Sequence, residues 1–241
     1  MSTIIRNSLK SLLKAIGLYT PLKNAYSNYS SREKRKNYKL YNEELLLLVD
    51  DILTKNGYSY WLNFGTLLGA YRDHAFIPHD DDLDISMFWD DRNGIKDALI
   101  NGGLNLVATF YFGDYNHPES LAYRFEYKNV YIDLDFHHRK KENPRMIIHY
   151  GALFLANQDY KRVCDYIPVQ VEEFTNPFDG LMKYDFLGRK FNVPSNIEEY
   201  IIANYGPNYR TPDSHSDYHD YAQNIHIYSP EEKEGYIYKH V

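Results

Sequence analysis

Residues 62–89 of the chain read LNFGTLLGAYRDHAFIPHDDDLDISMFW. This segment begins as an apolar run, turns at Gly65-Thr66 and ends in a second apolar run from Ile85 to Trp89. Four carboxylates adjoin the second run, and like charges held this close repel one another; they are Asp80, Asp81, Asp82 and Asp84. A solvated acidic loop would have polar neighbours, whereas these neighbours favour burial. The segment therefore predicts a functional carboxylate cluster at the edge of the core.

The pattern of apolar residues around this segment predicts an α/β or α+β fold with a mixed central sheet flanked by helices. Helical spacing over residues 38–55 ends at Gly57, a typical residue just beyond a helix. Helices are also predicted after Gly65 and at 91–103, and strands at 58–64, 82–89, 104–112, 121–129 and 130–138.

Turn and capping residues organise the C-terminal third. Gly188 marks a hairpin over residues 186–194. Ser195 and Glu198 predict a capping box for the helix that follows, which Gly206-Pro207 ends. The segment from residue 211 onward is polar and rich in His and Tyr, and its structure is not defined by the pattern.

The composition is typical of a soluble globular chain with one large domain. Of 241 residues, 44% are apolar and 25% are charged, enough to bury a sizeable core. The single cysteine, Cys164, excludes an internal disulfide and favours a reducing, cytoplasmic setting. We expect neither a signal peptide nor a membrane span, because no segment approaches about 18 consecutive apolar residues.

Basic charge is concentrated in the first 39 residues, which carry nine Lys and Arg against one Glu, while the whole chain has a net charge of −6. Residues 4–16 predict a basic amphipathic helix, which either rests peripherally on the inner face of a membrane or docks on the domain. We expect residues 1–36 to form this segment and a linker, 37–212 a catalytic domain, and 213–241 a polar tail packed on it. His215 and His219 in that tail leave a zinc site there open as an alternative.

The acidic residues occupy strand positions that share a face. Residues two apart in a strand point the same way, so Asp82 projects with Asp84, and Asp133 with Asp135. If the two strands are neighbours, their carboxylates form one cluster that demands a cation. Oxygen ligands favour Mg²⁺, with Mn²⁺ as the alternative, in a two-metal site for displacement at phosphorus.

Gly65-Thr66 supplies a second element of the predicted site. A helix that begins there presents backbone N–H groups and a hydroxyl to phosphate oxygens. A strand, Gly-Thr, a helix and Asp-x-Asp on the next strand form the nucleotidyltransferase pattern. Three alternatives stay open: a structural calcium loop, a nucleotide-sugar glycosyltransferase that uses Asp-x-Asp, and a catalytically silent glycan-binding scaffold at the membrane. The calcium loop is disfavoured because the glycine and glutamate of an EF-hand are missing.

The central segment closely resembles the signature of the LicD family, to which fukutin-type proteins are related. The matching residues are Tyr60-Trp61-Leu62, Gly65 to Gly69, Arg72, Phe76-Ile77-Pro78 and Asp80 to Ile85. Residues 41–55 and 186–212 are also similar to family features, so that the resemblance covers residues 40–212. It departs at His79, where the family usually has Trp, and at Asp135, an additional carboxylate.

The resemblance implies a nucleotidyltransferase-like fold and a Mg²⁺-dependent reaction. A phospho-substituent, typically phosphocholine, would pass from a CDP-activated donor to a hydroxyl of a surface glycan or lipid-linked glycan, with release of CMP. Nucleic acid is not an expected partner. The departures at His79 and Asp135 leave the head group of the donor open.

The resemblance and the spacing together assign roles to individual residues. Asp82, Asp84 and Asp133 are predicted as catalytic metal ligands, and Gly65, Thr66 and Arg72 as contacts of the donor phosphates. Predicted substrate contacts are His79, Asp135, His137, Arg189 and Lys190.

Overall fold

The computed structural model describes the backbone of residues 19–153, 166–212, 222 and 224–240, and the side chains in these ranges from residue 32 onward. The amphipathic helix predicted at residues 4–16, Cys164 and the pair His215 and His219 lie outside the described residues. None of the described helices is long and apolar enough to cross a membrane.

The described residues form four α-helices: α1 (Tyr19–Lys55), α2 (Phe64–Arg72), α3 (Ile95–Asn101) and α4 (Ile197–Tyr205). Helix α1 starts well before residue 38 and runs through the stretch predicted as a linker, across the expected boundary at residue 36. Gly206 ends α4 with a φ of 73°, as its position predicts. The capping box predicted from Ser195 and Glu198 is wrong, because Asn196 is the cap residue and its side chain accepts no hydrogen bond from the first turn of the helix.

Eleven strands are described: β1 (Trp61–Leu62), β2 (Asp82–Phe88), β3 (Asn105–Phe112), β4 (Ser120–Tyr127), β5 (Val130–Arg139), β6 (Met146–Leu153), β7 (Tyr166–Pro177), β8 (Leu181–Phe186), β9 (Arg189–Pro194), β10 (Ile225–Ile227) and β11 (Gly235–Lys239). β8 and β9 form the predicted hairpin, which turns at Leu187-Gly188. The other nine strands join one sheet. The mixed α/β class is therefore confirmed.

Part of the large sheet closes on itself. Following the pairings from β5 through β4, β3, β11, β7 and β6 leads back to β5. We call these six strands the closed ring. β2 lies beside β5 outside the ring and makes the one parallel pair among the described strands. The sequence did not predict this closure.

The closed ring depends on strands that the sequence pattern did not reveal. β6 and β7 fall between the strand predicted at 130–138 and the hairpin at 186–194, where no element was predicted, and β7 carries Pro168, which weakens a strand prediction. β11 comes from the polar tail and lies between β3 and β7. The two described strands of the tail, β10 and β11, are thus integral parts of the sheet.

The strands β2 and β5 separate two environments by the alternation of their side chains. On one face, apolar residues from both strands are buried with the helices and the β8–β9 hairpin in the largest hydrophobic core; they are Leu83, Ile85, Met87, Ile132, Leu134 and Phe136. On the other face stand the carboxylates. A one-residue slip in register would exchange the two faces, so the apolar core fixes where the carboxylates point.

We expect β11 to contribute strongly to stability. Ile237 of β11 is 1% exposed, whereas Ile227 of β10 is 44% exposed. Ile237→Ala should lower the free energy of unfolding by about 2–5 kcal/mol, because it leaves a cavity in the sheet. The matched control Ile227→Ala should change it by less than about 0.5 kcal/mol. Urea denaturation measures both, and equal effects would contradict the placement of β11.

Candidate active site

Two neighbouring strands bring the predicted carboxylates together. β2 and β5 pair in a register that sets Asp84 opposite Asp133, with Asp82 and Asp135 one step away on the same face. All four line one cavity of about 380 Å³, which we call the carboxylate cavity. Asp80, from the loop before β2, lines it as well.

Arg124 of β4 balances part of this charge, and the sequence analysis did not identify it. It lies opposite Asp133 in the β4–β5 pairing. Its Nε donates to Asp133 Oδ1 at 2.7 Å, and one Nη donates to Asp133 Oδ2 at 2.5 Å and to Asp82 Oδ2 at 3.1 Å. One guanidinium thus connects carboxylates from both acidic strands.

The Gly65-Thr66 turn holds the start of α2 against β2. The N–H of Gly65 donates to Asp84 Oδ2 at 3.1 Å, and the hydroxyl of Thr66 accepts from the N–H of Asp84 at 2.8 Å. Gly65 lines the carboxylate cavity, whereas Thr66 is buried and its hydroxyl serves the backbone of β2. The Thr66 hydroxyl keeps its own proton to donate, but Thr66 does not line the cavity, so the phosphate contact through Thr66 stays a prediction.

Glycine at residue 65 lets the Asp80 carboxylate lie against the start of α2, and a larger residue would displace this carboxylate. A Cβ at residue 65 would lie 2.5 Å from Asp80 Oδ2, closer than van der Waals contact allows. The glycine of the Gly-Thr motif thus permits a carboxylate to approach the first turn of the helix, in addition to freeing its N–H.

Burial and repulsion between charges disfavour ionisation of four carboxylates in the cavity, Asp80, Asp82, Asp84 and Asp135. Burial, followed by repulsion from Asp133, raises the pKa of Asp82. The pKa values of Asp84 and Asp135 lie well above the usual range, also mainly because of burial. Burial raises the pKa of Asp80 to about 6. One arginine does not neutralise this set, and a further cation would lower its electrostatic cost.

The donor set matches a hard divalent cation in chemistry, because every candidate ligand is a carboxylate oxygen. In the described part of the chain, however, no three His, Cys, Asp or Glu side chains converge as the ligands of one ion. Both oxygens of Asp133 are engaged by Arg124. Asp82 and Asp84 are thus the better-placed ligands, and Asp133 would have to give up a bond to Arg124.

Aromatic and polar residues from four other elements complete the carboxylate cavity, and none of them was predicted. The additional residues are Phe64, His149, Gly151, Glu172, Phe174, Asn204 and Tyr205. His149 stacks on Phe174 with ring centroids 4.7 Å apart, and burial lowers its pKa to about 3, so it is neutral. Phe64 has a φ of 36°, a strained backbone that packs its ring against His149.

Besides Thr66, five predicted contact residues lie away from the carboxylate cavity as the described residues outline it. The Arg72 guanidinium pairs with Asp73 and donates to the carbonyl of Tyr209, and Arg189 pairs with Asp50 and Asp51 on α1. Lys190 pairs with Asp185. His137 is buried against Ser86, and His79 is exposed on the loop before Asp80.

Arg124 should contribute to stability as the counter-charge of the cluster. Arg124→Met keeps the length of the side chain but leaves Asp82 and Asp133 without their donor. The free energy of unfolding at pH 7 should fall by about 1–3 kcal/mol, since half-buried acceptors lose their partner. Arg210→Met is the matched control, because Arg210 pairs with Glu198 at the exposed surface; we expect no measurable change there. An Arg124→Met variant as stable as the unmodified protein in chemical denaturation would contradict this role.

Comparison with known proteins identifies the family. The model described as "LicD/FKTN/FKRP, nucleotidyltransferase domain" matches residues 57–196, which include α2, β2, Arg124 and β5. The Homo sapiens protein named "Ribitol-5-phosphate transferase FKTN" is 29% identical over 172 residues, which are 70% of this chain and 33% of that protein.

A Caenorhabditis elegans protein described as "Uncharacterized protein W02B3.4" is 46% identical over 170 residues, 68% of this chain and 41% of its own length. The FKTN relatives are longer than this chain, which spans about a third of their length. Because the family model covers more than half of the 241 residues, the chain belongs to the LicD/FKTN/FKRP family.

Proposed function

We propose that the chain transfers a phosphoalcohol group from a CDP-activated donor to a hydroxyl of a glycan and releases CMP. The observation that carries this proposal is the carboxylate cavity, where Asp82 and Asp84 of β2 meet Asp133 of β5 beside the first turn of α2. Clustered carboxylates next to a helix N-terminus suit a cation and an anionic phosphate side by side.

The proposed reaction exchanges one bond at phosphorus for another. The bond between the transferred phosphorus and the bridging oxygen of the pyrophosphate breaks, and a bond to the acceptor oxygen forms. CMP leaves with the bridging oxygen. The hydroxyl proton passes to a carboxylate oxygen of the cluster, and Asp135 is placed for this because it is near Asp133 and lines the cavity.

We propose that Asp82 and Asp84 hold Mg²⁺, or Mn²⁺ in its place. A bound divalent cation would neutralise the pyrophosphate and polarise the phosphorus towards attack. The chemistry of the donor set supports this assignment, and so does the excess of buried negative charge over the single cation Arg124. Asp133 completes the set if Arg124 releases one of its oxygens.

We assign the protein cation of the site to Arg124 instead of Arg72. Arg124 lies in the cavity, whereas the guanidinium of Arg72 is committed to Asp73 and to the carbonyl of Tyr209. When phosphate oxygens enter, Arg124 can donate to them from its fixed position and balance the charge that develops. The N–H of Gly65 adds a second donor at the same wall of the cavity.

The relatives favour a polyol phosphate as the transferred group. FKTN bears the name of a ribitol-5-phosphate transferase, so a CDP-polyol is the first donor to test, ahead of CDP-choline. The carboxylate cavity also presents hydrogen-bonding groups that suit hydroxyls, among them Asn204 and Tyr205.

The carboxylate pair should be indispensable for turnover but not for folding. Asp82→Asn with Asp84→Asn removes two charges whose burial is unfavourable, so CMP release from the donor should cease while thermal unfolding stays close to that of the unmodified chain. MgCl₂ should raise the melting temperature of the unmodified protein by mass action and leave that of the double variant unchanged.

The matched control changes Asp90 and Asp91 to Asn. Both are exposed in the short 3-10 turn that follows β2, so the control removes the same charge outside the cavity. We expect it to keep turnover and the response to MgCl₂. Turnover by the Asp82/Asp84 variant would refute the metal assignment.

A donor panel tests the reaction class. CDP-ribitol, CDP-glycerol, CDP-choline and CDP-ethanolamine are compared with UDP- and GDP-sugars, each with MgCl₂ and with EDTA. We expect MgCl₂-dependent CMP release from a CDP-alcohol and none from the nucleotide sugars. Turnover of a nucleotide sugar would instead support the glycosyltransferase alternative, and no turnover of any donor would support the silent scaffold.

A further inference from the structure

The closed ring encloses a second cavity of about 390 Å³, which we call the ring cavity. Small closed sheets are either filled by their own side chains or hold one small ligand. Here the residues that line the cavity include small ones, Ala108, Ala122, Gly151 and Ala152, which leave space inside the ring. The volume lies in the range of small-molecule sites, roughly 300–1,000 Å³.

The ring cavity meets the carboxylate cavity at the charged cluster. Arg124, Asp133, Asp135 and Gly151 line both. Asp82, Asp84 and the first turn of α2 line only the carboxylate cavity. The acidic cluster therefore has an open space on each of two sides.

Displacement at phosphorus places the attacking and the leaving oxygen roughly in line, on opposite sides of the phosphorus. A donor whose phosphates contact Gly65, Asp82 and Asp84 occupies the carboxylate cavity. The attacking hydroxyl approaches from the side opposite the leaving oxygen, and the ring cavity is a second space beside the same carboxylates that can hold it.

We infer that the ring cavity is the acceptor subsite and that its ligand is a saccharide, an inference that rests on the proposed transfer reaction. The walls of the cavity fit this class. Phe110 and Tyr150 offer rings against which the C–H faces of a sugar pack. Arg124 and the two shared carboxylates offer donors and acceptors for its hydroxyls.

The opening of the ring cavity can accommodate the rest of a glycan chain. Lys239 lines the cavity and is exposed, and Lys34 of α1 lines it with its ammonium group 5.0 Å from the ring centroid of Tyr131. These cations lie where hydroxyl or phosphate oxygens of a longer acceptor would leave the ring. The transferred group and its nucleotide stay on the other side of the cluster.

A filled ring cavity should block the acceptor without affecting the donor. Ala152 of β6 lines the ring cavity and not the carboxylate cavity, so Ala152→Phe places a ring in the acceptor space. Leu153→Phe is the matched control, since Leu153 is the next residue on the same strand and lines neither cavity. If Ala152→Phe does not fold, Ala152→Val fills less space and should show a smaller effect of the same kind.

Three readouts separate the proposals: the thermal shift caused by the donor with MgCl₂, CMP release in water alone, and the increase in CMP release caused by methyl glycosides of glucose, galactose and N-acetylgalactosamine. In Ala152→Phe, the donor-induced thermal shift and CMP release in water should stay within about twofold of the unmodified protein. The increase in CMP release caused by the glycosides should fall by about tenfold or more. Leu153→Phe should match the unmodified protein in all three.

Each other result overturns a defined part of the account. Loss of the donor-induced shift in Ala152→Phe would mean that the ring holds the nucleotide. An unchanged response to the glycosides, or an unmodified protein that no glycoside stimulates, would remove the acceptor assignment while leaving the donor chemistry intact. An unmodified protein that releases no CMP from any CDP-alcohol would refute the proposed function itself.

Discussion

The parallel pairing of β2 with β5 is the constraint on which the rest of the site depends. It sets Asp84 opposite Asp133 and directs alternate residues of both strands into the apolar core. The energy gained by burying Leu83, Ile85 and Leu134 holds the register, and the register holds the carboxylates close together in spite of their repulsion. Core packing thus stabilises an electrostatically unfavourable cluster that a cation and a phosphate can relieve.

The alternation of side chains along a strand made the shared face of the carboxylates predictable from the sequence. Asp-x-Asp in two apolar strands places the side chains on one face whatever the partner strand is, and the Gly-Thr turn before a helix is a local signal. Arg124 gave no such signal, because an arginine in the alternating stretch LAYRFEY resembles any solvent-facing residue. The β4–β5 hairpin sets it opposite Asp133 through the two-residue turn at Lys128-Asn129, where both residues have positive φ. The sequence analysis predicted both strands but not this turn or its register.

The partners of Arg189 and the closure of the ring were harder to predict, because both depend on residues that are distant in the sequence. Arg189 follows the motif in sequence but is held by Asp50 and Asp51 on α1, more than a hundred residues away. β11 pairs with β3 and β7 although it has only five residues and lies in a segment that is polar on the whole. Closure therefore arises from long-range pairing, and with it comes the ring cavity, which no motif marks.

Metal location tests the central claim most directly. A crystal soaked with MnCl₂ and measured at the manganese absorption edge should show an anomalous peak in the carboxylate cavity, in contact with Asp82 or Asp84, with at least one Arg124 bond to Asp82 or Asp133 displaced. An anomalous map with no peak in that cavity, and with Arg124 still joining Asp82 to Asp133, would contradict the account.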